Sequence, residues 1–84
     1  MNVFVKQKNG KMPRYGNIFN ILTILYFDSA TSDQIKRLYP NAKPLAVLKK
    51  VEEEGLVWYE DGKFKLTESG FNIRKTLASQ FNME

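Results

Sequence analysis

The chain contains neither cysteine nor histidine. The first absence excludes a disulfide framework and a thiolate metal site. The second removes the commonest metal ligand and the commonest general base. The glycines Gly10, Gly16, Gly55, Gly62 and Gly70 lie far apart, so no glycine-rich phosphate loop is present. The serines have no histidine to activate them, and no pair of carboxylates stands at a convincing catalytic spacing. These absences argue against an enzyme, a metal and a cofactor, and nothing points to a small-molecule effector. Long hydrophobic runs are also missing. The stretch Ile18–Phe27 is interrupted by Asn20 and Thr23 and is too short to span a bilayer. The N-terminus lacks the apolar stretch and cleavage site of a secretory signal. A cytoplasmic protein without membrane contact is expected.

Acidic residues are absent from the first fourteen positions, which carry Lys6, Lys8, Lys11 and Arg14. The formal charge is +4, and the rest of the chain holds equal numbers of the two signs. The excess is therefore a basic N-terminal arm, residues 1–13 and the adjoining arginine. Such an arm either binds a polyanion or is a solvated tail. Eighty-four residues allow one domain. A core this small is marginal alone, and without disulfides or metals a second copy of the chain is the natural remaining support.

Residues 14–84 read as that domain. In the arm, Val3-Phe4-Val5 is β-prone and Asn9-Gly10 is a turn signal, but no helical period exists, so an extended or disordered segment is expected. Pro13 is placed to open a helix from about Arg14 to Asp28. Tyr15, Ile18, Leu22 and Leu25 form one apolar stripe of that helix, with Phe19 and Tyr26 beside it. Ile21, Ile24 and Phe27 form a second. A helix apolar nearly all round is covered on more than one side. The second cover is either a partner subunit, meeting Ile21, Ile24, Phe27, Ile73, Leu77 and Phe81, or the C-terminal helix of the same chain.

Thr31 or Ser32 caps a second helix over about Asp33–Tyr39, with Ile35, Leu38 and Tyr39 inward, and Pro40 ends it. After a turn at Pro40-Asn41-Ala42, a third helix runs from about Lys43 to Glu54. Leu45, Leu48, Val51 and the stem of Glu52 face inward, and Lys43, Ala46, Lys50 and Glu53 outward, flanked by Val47 and Lys49. Lys49–Glu53 and Lys50–Glu54 are helical neighbours, so these lysines are either a self-paired solvated face or free cations. Gly55 supplies a left-handed cap. Asp61-Gly62 then writes a two-residue hairpin turn. Its register pairs Val57 with Leu66, Trp58 with Lys65, Tyr59 with Phe64 and Glu60 with Lys63. Val57, Tyr59, Phe64 and Leu66 are the expected core face, with Trp58 outward beside Lys65. Thr67 caps a last helix to about Phe81, with Phe71, Ile73, Leu77, Ala78 and Phe81 apolar.

This order, with Leu48-x-x-Val51-x-x-x-Gly55-Leu-Val57, the Asp61-Gly62 wing and Leu66-Thr-Glu-Ser-Gly70, resembles the winged helix-turn-helix family, particularly small regulators of the MarR and PadR type. The resemblance covers about residues 15–81. It implies a mainly α fold with a two-stranded β-wing and a C-terminal dimerisation helix. It also implies a homodimeric transcriptional regulator that binds double-stranded DNA. Lys43, Ala46, Val47 and Lys50 would face bases or phosphates, Thr31, Ser32 and Arg37 would lie near backbone, and Lys63 and Lys65 would be wing contacts. Lys6, Lys8, Lys11 and Arg14 would add a basic arm.

The segment Lys43–Lys50 departs from the pattern of base-reading helices, having no Arg, Asn, Gln, Ser or Thr. Readout then rests on phosphate contact, shape, and Ala46 or Val47 against thymine methyls, or this helix does not read DNA. The acidic wing tip, Glu60-Asp61, opposes insertion into a minor groove. A winged-helix adaptor inside a polymerase, replication or segregation assembly is the alternative, motivated by apolar Pro44–Val47 and outward Trp58.

Overall fold

The computed structural model describes residues 3–40 and 43–83. Among these the order is α1 (Gly16–Phe27), α2 (Ser32–Leu38), α3 (Pro44–Glu53), β1 (Val57–Glu60), β2 (Lys63–Leu66) and α4 (Glu68–Gln80). The architecture is mainly α, with a two-stranded antiparallel hairpin between the third and fourth helices.

The first helix is the central post. Every residue from Phe19 to Leu25 is buried, and α1 packs against α2, α3, α4 and β2. Ile21 and Ile24 belong to this chain's own core, together with Leu22, Leu25, Ile35, Leu48, Val51 and Val57. Leu77 joins Phe19, Val5 and Ala78 in a second, adjoining cluster. The partner-subunit reading is thereby corrected for Ile21, Ile24 and Leu77. A helical period reports that a face is covered, and here the cover is intramolecular.

Pro13 does not open α1. Tyr15 adopts a left-handed conformation, φ 67°, and interrupts the helical run before Gly16. Pro13 instead sits in a turn, its carbonyl accepting from the Gly16 N–H at 2.9 Å.

The N-terminal segment is docked rather than loose. Lys8 and Lys11 exchange both backbone hydrogen bonds, at 2.8 and 3.0 Å, around Asn9-Gly10. Both turn residues have positive φ, as a two-residue type I′ turn requires. Upstream, the buried amide of Asn20 substitutes for a missing strand. Its Oδ1 accepts from the Val5 N–H at 2.8 Å, and its Nδ2 donates to the Val5 carbonyl at 3.0 Å and to the Tyr39 hydroxyl at 3.2 Å. That hydroxyl donates onward to Asn17 Oδ1. Every buried side-chain polar atom among the described residues is partnered, which is what makes a polar group inside α1 tolerable.

Thr31 caps α2 through a full capping box with Gln34. Ile35 and Tyr39 are buried, but Leu38, expected inward, is 60% exposed. It lies on the flank of a seven-residue helix whose buried side is already filled by Ile35 and Tyr39. Residues Asn41 and Ala42 of the expected turn lie outside the described residues.

At the end of α3, the Leu56 N–H reaches Val51 O at 2.9 Å and the Gly55 N–H reaches Glu52 O at 3.0 Å, with Gly55 at φ 76°. This is a Schellman closure, and it turns the chain directly into β1. The hairpin has the expected register at all four pairs, and Asp61 and Gly62 both have positive φ. Ala30, in the α1–α2 connection, exchanges two backbone hydrogen bonds with Phe64, at 3.1 and 2.7 Å, and braces the hairpin from the side. Only Val57 of the expected core face is fully buried; Phe64 and Leu66 are half-buried against the core, and Tyr59 is exposed, its ring packed edge-on to Phe64 at 4.9 Å.

The joint into α4 is tight. The Thr67 N–H donates to Leu56 O at 3.1 Å, and its hydroxyl donates to Gly55 O at 2.7 Å while accepting from the Gly70 N–H at 3.0 Å. A Cβ on Gly70 would stand 2.0 Å from Leu56 O, so no other residue fits without moving backbone. The Leu-Thr-Glu-Ser-Gly run is thus a packing requirement of a helix seated on the α3–β1 corner.

Candidate nucleic-acid interface

Helix α3 buries only Pro44, Leu48 and Val51. Pro44 replaces Leu45 in the expected stripe, and Leu45 is 49% exposed. With Pro44 at the first helical position, the inward stripe begins there and Leu45 rotates onto the flank. Lys43, Ala46, Lys49, Lys50 and Glu53 are exposed as expected, and Val47 is half-buried against the core.

The lysines of this face are not self-paired. Among the described residues the single ion pair within 4 Å is Lys65–Glu60, at 3.0 Å. Lys49–Glu53 and Lys50–Glu54 do not close, in keeping with the weaker order of such pairs, lysine preceding the acid. Lys43, Lys49 and Lys50 therefore keep their hydration and charge available to a polyanion.

Arg14 is brought to this face. A groove of about 430 Å³ is lined by Met12, Pro13, Arg14 and Tyr15 from one side and by Val47 and Lys50 of α3 from the other. The Arg14 guanidinium lies 5.1 Å from the centroid of the Tyr15 ring. The left-handed turn at Tyr15 aims this pair. Lys6 and Lys8 line a different groove, beside Gln80 and Phe81 at the end of α4. Lys11 is exposed on the small N-terminal turn. The arm's cations are thus divided between two places.

The other expected contacts scatter. Thr31 Oγ1 is engaged in capping Gln34, and Ser32 is half-buried. Arg37 lines a groove between α1 and α2 that includes no residue of α3. Lys63 is exposed beside the hairpin turn. Lys65 is occupied by its ion pair with Glu60 and lies 5.6 Å from the Trp58 ring centroid. Trp58 remains 46% exposed. Of the residues expected at an intersubunit surface, Phe27 and Ile73 are exposed, and Phe81 packs edge-on to Phe19 at 5.6 Å.

No protein-family model matches this chain, and no curated protein and no solved structure matches it. No helix among the described residues is long and apolar enough to cross a membrane, and no group of potential metal ligands occurs among them.

Sequence reading missed three polar residues that organise the fold. Asn20 and Thr23, three apart within an apolar run, carried a readable signal: one turn of a buried helix has hydrogen bonds to make. Arg74 carried none. Its Nε donates to Thr23 Oγ1 at 3.1 Å, and its guanidinium lies 4.0 Å from the Tyr26 ring centroid and 5.3 Å from that of Phe19. Burial pulls its pKa below the ordinary arginine value, and the Tyr26 oxygen opposes that pull. An arginine so placed still keeps its charge near neutral pH.

Proposed function

We propose that this chain is a winged helix-turn-helix module that binds double-stranded DNA with the outward face of α3, in the manner of a small transcriptional regulator. The observation that carries the reading is the set of unpaired cations Lys43, Lys49 and Lys50 on one helix, with Arg14 across the shared groove from Lys50. The helix is fixed behind by Leu48 and Val51 and closed by a hairpin braced at Ala30, so a rigid charged edge is offered to a phosphate backbone. Lysine and arginine neutralise phosphates without reading sequence. Ala46, exposed between them, is the residue suited to a thymine methyl. Lys63 supplies an unpaired cation on the wing, whereas Lys65 does not.

The test is fluorescence anisotropy with a labelled duplex over a salt series. Four phosphate contacts give a slope of log affinity against log salt of about −3.6. Lys50→Gln lowers affinity at all duplex sequences and makes that slope shallower by about one. No salt-dependent binding even at low ionic strength would refute the reading, as would a slope untouched in Lys43→Gln/Lys50→Gln. The stoichiometry on a palindromic duplex reports whether two copies assemble there.

Exposed Leu45 and Trp58 favour a second reading, a protein-interaction adaptor. A chain that stays monomeric and ignores duplex DNA at low salt belongs to it.

A further inference from the structure

A second surface lies at the C-terminal end of α1, and it differs in kind from the α3 face. Phe27 is 65% exposed and, with Leu38, lines a shallow groove of about 410 Å³ between α1 and α2. Phe27 meets Tyr26 edge-on at 5.3 Å, and Tyr26 stacks on Phe71 at 5.8 Å. The ring contacts thus connect Phe27 through Tyr26 to Phe71, Leu38 shares the groove with Phe27, and all four side chains are exposed. A contiguous apolar strip of this kind on a small domain marks an interaction site. Its composition, aromatic with arginine, is that of protein interfaces.

Charge identifies the occupant. Arg37 lines the groove, and the Arg74 guanidinium lies over the Tyr26 ring. Neither guanidinium has an acid within 4 Å among the described residues. Arg74 is partly desolvated, with one N–H given to Thr23 and its remaining donors without a protein partner among those residues. One acid, Asp28, also lines the groove, its Oδ1 accepting from the Ser29 N–H at 2.8 Å, so the strip carries two guanidiniums against one carboxylate.

We propose that this strip docks an acidic amphipathic segment of another protein. Its apolar side chains enter the groove between Phe27 and Leu38, and its carboxylates meet Arg37 and Arg74. A guanidinium with free donors beside an aromatic face is suited to bidentate carboxylate recognition. A second copy of the chain fits less well. An isologous contact presents the same strip twice, with two guanidiniums and one carboxylate on each side, a net like-charge juxtaposition. The inference is independent of DNA binding, which uses other residues.

The probe is a synthetic helical peptide of about 18 residues with leucine at i, i+3, i+4 and i+7 and glutamate on its flanks. Titration is followed by amide chemical shifts of the full chain. Saturable binding centred on Tyr26, Phe27, Leu38 and Phe71 is expected, about tenfold tighter than for the same peptide with lysine in place of glutamate. Arg37→Glu, at an exposed position, should reverse that preference, and Phe27→Ser should weaken binding about tenfold or more without unfolding the chain. The proposal is overturned if the acidic peptide does not bind or binds no better than the basic one. It is equally overturned if sedimentation shows a dimer that Phe27→Ser dissociates, since the occupant would then be a second copy.

Discussion

Helices α1 and α3 have similar lengths, but α1 is apolar nearly all round while α3 is apolar on one side and charged on the other, and they do opposite work. α1 is enclosed from Phe19 to Leu25, including two polar residues that find partners. α3 is held by Pro44, Leu48 and Val51, with Val47 half-buried beside them, and its remaining side chains are exposed. The contrast teaches that enclosure and exposure in so small a domain are distributed helix by helix. α1 carries the stability, and α3 is the surface that stability supports.

Truncation gives the widest separation between the two. Phe19 is completely buried and contacts Phe81 and Arg74. Phe19→Ala is expected to cost about 3–5 kcal/mol, enough to unfold a domain of ordinary marginal stability. Leu45→Ala on α3 should stay within about 0.5 kcal/mol, as exposed substitutions do. Urea titrations of the two variants check this, and comparable losses would erase the distinction between the helices.

The next effect tests the corner on which α3 depends. In Gly70→Ala the new methyl meets Leu56 O, a backbone atom fixed by the Thr67 N–H. The expected loss is about 2–3 kcal/mol, the range of an overpacked core position. Thermal unfolding measures it. A neutral result would mean that α4 shifts freely on the α3–β1 corner.

Asn20→Ala comes third. It leaves the Val5 N–H and C=O without their partners and frees the Tyr39 hydroxyl on one side. A loss of about 1–3 kcal/mol is expected, since a buried polar group left unpaired bears its desolvation cost. Amide exchange should accelerate at Val5 more than at Leu22. If both accelerate equally, the N-terminal segment and α1 form one cooperative unit rather than a strap and a post.

The same contrast explains what was legible in the sequence. Asp61-Gly62, Gly55 and Thr67 each demand a local geometry, and the hairpin register, the end of α3 and the start of α4 follow from them. Lys43, Ala46 and Lys50 were placed outward by simple periodicity. Which wall covers Ile21, Ile24 and Leu77 was not legible, because a period identifies a covered face without identifying the cover. Leu38 and Leu45 went wrong for a related reason. Short helices fill their inward side with two or three residues, and the next apolar side chain overhangs. The docking of the arm depends on Asn20 meeting Val5 across fifteen positions, and no local pattern announces such a pairing. Nor does local pattern announce Arg74 over Tyr26, or the left-handed Tyr15 that brings Arg14 to Lys50.

The smallest effect is the sharpest test of what α3 is for. Its last turn carries Glu52, Glu53 and Glu54, with no cap but the backbone, at the end where the helix dipole is negative. Lys50, in the same turn, offsets this placement only in part, since none of the three acids is ion-paired among the described residues. Glu53→Gln should therefore stabilise the chain by about 0.3–1 kcal/mol at low ionic strength, with the gain fading as salt screens it. Glu53 also shares the outward face with Ala46 and Lys49. If that face meets phosphate, the same substitution raises duplex affinity, because it removes a repulsive charge from the interface. If stability rises while duplex affinity stays unchanged, Glu53 lies off the path of the DNA. The outward face of α3 would then lose its claim to be the recognition surface, even with its lysines free.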